Sequence, residues 1–128
     1  MTSNAAGIDA TTGVPLDSDR LDVYRVAREF DAFAARALPR RGATALRDQL
    51  ERASSSIVLN IAEGCGRFAR GEKAHFYLIA RGSAMECAAA FDVAIARGLV
   101  SPPACRHARG LLTRIVQMLT KLAQRMQA

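Results

Sequence analysis

Apolar residues recur every three or four positions in four stretches of this chain, and that spacing predicts four helices. The first helix begins at a cap provided by Ser18 or Asp19 and ends near Ala37. Leu38 precedes Pro39, and the residue before a proline is pushed out of the α region, so the helix ends there. Its apolar face consists of Tyr24, Ala27, Phe30, Ala34 and Ala37.

The second helix begins at a cap provided by Thr44 and stops at Gly64-Cys65-Gly66. Glycine adopts a left-handed backbone without a steric penalty, so these two glycines predict a left-handed helix end. They follow a helix rather than a strand, which argues against a dinucleotide-binding loop. The apolar positions of this helix are Leu46, Leu50, Ala53, Ile57 and Ile61.

The third helix begins near Arg70, reaches Arg97 and is closed by Gly98. Its apolar positions are Phe76, Ile79, Ala80, Cys87, Ala90, Phe91 and Ala94. Because these positions cover more than one stripe, the helix must be covered on more than one side. Gly82 lies inside this helix and Gly110 inside the next, where glycine is costly, so close helix approach is expected at both.

The fourth helix opens at Ser101, an N-cap followed by Pro102 at the first helical position. Leu111, Ile115, Met118 and Leu122 form its apolar seam, and the opposite face is basic or amide. Short turns between long helices imply antiparallel neighbours. The sequence therefore predicts an all-α protein, an up-down-up-down antiparallel four-helix bundle.

One domain accounts for the length of 128 residues. Residues 18–128 form the bundle, and residues 1–17 read as a disordered leader because they mix Gly, Thr, Ser and Asn without periodicity. No uninterrupted apolar run is long enough to span a membrane, and the N-terminus lacks the regions of a signal peptide. The three cysteines have no CxxC spacing, so reduced thiols in a cytoplasmic protein are expected.

The net charge of +6 is unevenly distributed along the chain. Residues 1–31 hold six acids and three bases, whereas residues 32–128 hold six acids and fifteen bases. No acid follows Asp92. An anionic partner would explain this asymmetry, and a solvated basic face without a partner is the alternative.

Three segments of the sequence form a recognisable set: Leu21 to Ala27 (LDVYRVA), Asn60 to Arg67 (NIAEGCGR) and Ile79 to Ser83 (IARGS). In their order and separation they resemble the four-helix-bundle family named for 23S ribosomal RNA intervening sequences. The resemblance runs from about Leu21 to Leu122. One departure is Ala69, three residues before Glu72, where the family usually has a serine that would complete a capping box. Without that hydroxyl, the start of the third helix is expected to be weaker by about 1 kcal/mol.

This resemblance implies a bacterial protein that assembles into a ring, typically a homopentamer. The family is also similar to the accessory protein of diversity-generating retroelements, a basic pentamer that engages a reverse transcriptase and nucleic acid. The similarity to that accessory protein is an analogy of fold.

The leading hypothesis is a non-enzymatic oligomeric adaptor that binds RNA or DNA, with a polymerase-type protein such as a reverse transcriptase as a further partner. The predicted nucleic-acid-binding residues are Arg67, Arg70, Lys73, Arg106, Arg109, Arg114, Lys121 and Arg125. No exposed aromatic platform is expected, so binding would rely on phosphate contacts and show weak sequence preference. The alternative is a structural or protein-interaction ring that does not bind nucleic acid.

The polar residues of the two signature segments predict a structural network that sets helix register or the subunit contact, and a ligand pocket is the alternative. Its members are Asn60, Glu63, Arg81, Ser83 and Glu86. Glu72 and His75 have the Glu-x-x-His spacing of one half of a di-iron carboxylate site, but a second such pair is missing, so no metal is expected. No catalytic signature is present, and neither an enzyme activity nor a cofactor is expected.

Overall fold

The computed structural model describes residues 16–128, and the predicted leader lies outside the described residues except for Leu16 and Asp17. A single turn of 3-10 helix at Asp17–Arg20 precedes four α-helices. These are α1 (Asp22–Ala37), α2 (Thr44–Gly66), α3 (Arg70–Ala96) and α4 (Pro102–Gln127).

The helices pack as neighbours in chain order, and the fourth closes against the first. The most extensive packing joins α2 to α3 and α3 to α4. Residues 16–128 contain no strand. The predicted all-α, up-down-up-down four-helix bundle is confirmed. Consequently the start of α1, the end of α2, the start of α3 and the end of α4 lie at the same end of the bundle.

Each helix contributes an apolar stripe to one continuous core. Phe30 of α1 meets Phe91 of α3 edge-on, with ring centroids 6.1 Å apart, and both side chains are fully buried. Ile57 and Ile61 of α2 and Ile115 of α4 are other fully buried members of this core. Buried alanines on α1 and α3 allow the helices to approach closely between these large side chains.

Two of the predicted caps are wrong. Ser18 and Asp19 belong to the 3-10 helix, where the Asp19 carboxylate accepts from the main-chain N–H of Leu16 at 2.8 Å. α1 starts after Leu21 and has no side-chain cap. Thr44 is already the first residue of α2, so its hydroxyl lies past the capping position.

The predicted cap of α4 is confirmed, because the Ser101 hydroxyl accepts from the N–H of Ala104 at 3.2 Å. Ala69 occupies the N-cap of α3 and offers no side-chain oxygen, and the expected loss of about 1 kcal/mol there stays a prediction.

The expected left-handed end at Gly64 and Gly66 is wrong, because both residues are helical members of α2. Within the described residues, positive φ angles occur at Gly42 and Gly98. Gly64 is required for a different reason. A Cβ atom there would lie 2.7 Å from the ring of Tyr77, which packs directly on the α2 backbone.

Close helix approach does not explain Gly82 or Gly110, since neither has a neighbour within 4 Å of a Cβ position. Gly82 lies on the outer face of α3, where several large apolar side chains are also exposed. They are Leu78 (44%), Ile79 (39%), Met85 (52%) and Val93 (38%). The second side of α3 is therefore uncovered within one chain.

Candidate nucleic-acid interface

Four of the predicted cations form an exposed basic face on α4: Arg106, Arg114, Lys121 and Arg125. Because Leu111, Ile115 and Leu119 take the core side, the helical period directs the basic residues outward. No carboxylate within residues 16–128 forms an ion pair with these four side chains. Their charges are available to an external anion.

The fifth predicted cation of α4, Arg109, has an internal partner. Its Nη1 lies 3.0 Å from Oδ1 of Asp92 on α3. Both side chains are more than half exposed, so the pair contributes at most about 1 kcal/mol and is screened by salt. The sequence contained the signal, an acid at the last turns of α3, but the helix pairing was needed to show the contact.

Arg67 is held at the α2–α3 junction by two contacts. Its Nη2 lies 2.7 Å from a carboxylate oxygen of Glu63, one turn earlier in α2. Its guanidinium carbon also lies 4.8 Å from the ring centroid of Phe76, a cation–π contact. The Nε of Arg67 is buried and has no hydrogen-bond partner. These contacts fix the path of the chain between α2 and α3.

The other two predicted cations of the junction satisfy helix ends. The ammonium of Lys73 donates to the main-chain oxygens of Gly64 (3.3 Å) and Cys65 (2.9 Å) in the last turn of α2, and the Gly64 oxygen also accepts from the N–H of Arg67. Arg70 donates to main-chain oxygens in the last turn of α4, including that of Met126 at 3.3 Å. Arg70 thereby ties the start of α3 to the end of α4.

A groove of about 280 Å³ opens at the same end of the bundle, between the start of α1 and the last turns of α4. Its cations are Arg20, Lys121 and Arg125, and its walls are Leu21, Val23, Met118 and Leu122. The one acid at its edge, Asp22, pairs with Arg25 at 2.9 Å. Sequence reasoning missed Arg20, since only the closure of α4 against α1 brings it beside Lys121.

Phe68 corrects the expectation that exposed aromatic platforms are absent. This side chain is 98% exposed and lies in the α2–α3 junction between Arg67 and Arg70. The sequence carries a signal for it, namely an aromatic residue between two arginines directly before a helix start. Apolar periodicity could not assign it to a helix face, because it lies between helices.

The predicted polar network is brought together only in part. Asn60 Nδ2 donates to the main-chain oxygen and hydroxyl of Ser56, and that hydroxyl lies 2.8 Å from the hydroxyl of Ser83 on α3. Arg81 faces the other side of α3, where its Nε donates to the Thr120 hydroxyl at 2.9 Å. The other two predicted members lie apart from these contacts. Glu63 pairs with Arg67, and Glu86 is exposed.

The most deeply buried hydroxyl belongs to Ser54, which sequence reasoning did not single out. It is 1% exposed and donates to the Asp31 carboxylate on α1 at 2.7 Å. This bond joins α1 to α2 inside an otherwise apolar region. The apolar spacing of α2 includes position 54, but a serine there gives no local sign of its partner.

Within the described residues, no three His, Cys, Asp or Glu side chains lie together so that they could hold a metal ion. His75 instead meets Phe76 edge-on, with ring centroids 5.2 Å apart.

Burial raises the pKa of the Cys65 thiol and raises that of Cys87 to about 12, so both are neutral at pH 7. All three cysteines are free, and no helix within residues 16–128 has both the length and the apolar character of a membrane span.

Fold and surface together define a small, basic, all-helical protein with a row of exposed cations on its last helix that form no ion pair within residues 16–128. The chain belongs to the family described as 23S rRNA-intervening sequence protein, which matches residues 19–121. The resemblance noted in the sequence is confirmed by this match. A comparison with curated proteins finds no match. The similarity to the retroelement accessory protein stays a prediction.

Proposed function

We propose that this chain is a non-enzymatic, ring-forming helical adaptor that binds RNA or DNA through the basic face of α4. The observation that carries the proposal is a row of four exposed cations without an internal counter-charge: Arg106, Arg114, Lys121 and Arg125. Arginine can pair with phosphate through two parallel hydrogen bonds, which suits a nucleic-acid backbone.

Membership of the 23S rRNA-intervening sequence family supports RNA as the anion, because the description of the family names a ribosomal RNA. The fold adds a second reason. An α4 held along its length by α1 and α3 presents its cations at fixed spacing, so few degrees of freedom are lost when they meet a phosphate backbone. A polymerase-type protein such as a reverse transcriptase is a further partner suggested by the resemblance.

The outer face of α3 supports assembly, and with it the strength of binding. Leu78, Gly82, Met85 and Ala89 recur there at alternating steps of four and three residues, as in helices that pair along a seam, and the pattern ends at Asp92. One subunit offers only a few phosphate contacts. A homopentamer would repeat the basic face five times, and simultaneous engagement can raise the apparent affinity by orders of magnitude.

The direct test is fluorescence anisotropy with mixed-sequence single strands and duplexes over a series of salt concentrations. A ring that neutralises about five phosphates of a duplex should lose affinity with a log–log slope near −4.5. The double charge reversal Arg114→Glu and Lys121→Glu should weaken binding by at least ten-fold. The matched control reverses Arg40 and Arg41, two exposed cations in the α1–α2 turn, and changes the net charge equally.

If the wild-type protein binds no nucleic acid at low salt, or if both double reversals weaken it equally, the proposal fails. The exposed apolar face of α3 then favours the other candidate, a protein-interaction ring. In that case the purified protein should still assemble, and Met85→Arg should break the assembly.

A further inference from the structure

We propose that one end of the bundle is a binding site for single-stranded nucleic acid, in which a base stacks on Phe68 and phosphates lie on the cations of the α1–α4 groove. The inference rests on the proposed function and adds to it the kind of strand, an aromatic contact and one further cation, Arg20. The site is formed by three parts of the chain that are distant in sequence: the 3-10 helix, the α2–α3 junction and the end of α4.

Phe68 is the most exposed large apolar side chain within residues 16–128. Its neighbours are held in place, since Arg67 is tied to Glu63 and to the ring of Phe76, while the main-chain oxygen of Ala69 accepts from the N–H of Lys73. The exposed ring of Phe68 therefore contributes no packing energy within the single chain. It is placed as a stacking platform would be, because its surroundings are ordered before a ligand arrives.

Arg20, Lys121 and Arg125 of the groove form no ion pair within residues 16–128, which favours an anionic partner even though Asp17 and Asp19 share the 3-10 helix with Arg20. Arg70, two residues after Phe68, donates to the last turn of α4 and so holds that turn against the junction. The same turn carries Arg125, which lines the groove together with Lys121 and Arg20. The aromatic ring and the three groove cations therefore lie at the same end of the bundle.

The chemistry of this end favours a single strand over a duplex. In a duplex the faces of the bases are covered by their neighbours, and only phosphates and base edges are accessible. A single strand offers both phosphates and bare base faces, which match cations and an aromatic ring respectively. The apolar walls of the groove, Leu21, Val23, Met118 and Leu122, give a second surface for a base or sugar.

The test compares three labelled probes of about twelve nucleotides, within the range of known single-strand site sizes: a single strand, its duplex, and a single strand whose bases are removed but whose phosphates remain. RNA and DNA versions of the single strand are both used. The wild-type protein should bind the intact single strand more tightly than the abasic strand. Phe68→Ala should weaken binding of the intact strand by roughly 5- to 150-fold, the range for loss of one stacked base, and should change binding of the abasic strand less than two-fold.

Two further variants separate stacking from charge. Phe68→Tyr should restore binding of the intact strand, since it keeps the ring. Arg20→Ala should weaken both single-stranded probes and flatten the salt slope by about 0.7, whereas Arg40→Ala, an exposed cation at the opposite end, should change neither.

Three results would overturn the inference. The first is that Phe68→Ala loses affinity equally for the intact and the abasic strand. The second is that this variant loses no affinity. The third is that its assembly mass changes, which would assign Phe68 to a subunit contact. In each of these cases the wild-type protein still binds nucleic acid. Absence of wild-type binding to every probe would instead overturn the proposed function.

Discussion

At the scale of single residues, Gly64 shows a requirement that depends on its surroundings. A Cβ at this position would lie 2.7 Å from the Tyr77 ring and 3.2 Å from the main-chain oxygen of Lys73. The ring is buried and the oxygen is part of α3, so neither can move freely. Gly64→Ala should therefore destabilise the protein by roughly 1–3 kcal/mol, although alanine is the better helix former.

The matched control is Gly110→Ala on α4, where a Cβ meets nothing within 4 Å. This change should stabilise the protein by about 0.5–1 kcal/mol through helix propensity alone. Denaturant unfolding of both variants at one protein concentration measures the two changes in the free energy of unfolding. Equal effects of the two substitutions would contradict the close contact at Gly64.

At the scale of secondary-structure elements, two hydroxyls that look alike in the sequence have different roles. The Ser101 hydroxyl accepts from the N–H of Ala104, whereas Thr44 is past the capping position of α2. Ser101→Ala should cost about 1 kcal/mol of unfolding free energy, and Thr44→Ala should be neutral or slightly favourable. Urea unfolding midpoints of the two variants measure this difference. A larger loss of stability for Thr44→Ala than for Ser101→Ala would contradict both capping assignments.

At the scale of the whole molecule, the uncovered face of α3 predicts assembly. Light scattering at micromolar concentration should give about five times the 13.8 kDa of one chain. Met85 is 52% exposed at the centre of that face. Met85→Arg should place a charge in the seam and return the mass toward that of a monomer, while each chain stays folded because this side chain is outside the core.

Ala32→Arg serves as the control for assembly, since Ala32 is exposed on α1, away from α3. That variant should keep the wild-type mass. A wild-type protein that scatters as a monomer, or two arginine variants that behave alike, would remove the α3 face as the subunit contact.

Periodicity by itself determined the all-α class, the four helices and the opening of α4 at Ser101. Helical spacing and capping act within a few residues, so a single sequence records them directly. The outward direction of the α4 cations follows in the same way, because a helix with Leu111 and Ile115 inside must turn its arginines out. The basic part of the proposed interface therefore follows from the amino-acid sequence alone.

Only the tertiary structure decided which of those cations have partners and what else lies beside them. Arg109 contacts Asp92, and Arg70 contacts the end of α4. Arg20 lines a groove together with residues of α4. In each case the residues that come together are far apart in the chain. The ring of Tyr77, not a left-handed turn, explains Gly64 for the same reason. Side-chain contacts between elements depend on how helices are placed against one another, and local spacing does not encode that placement.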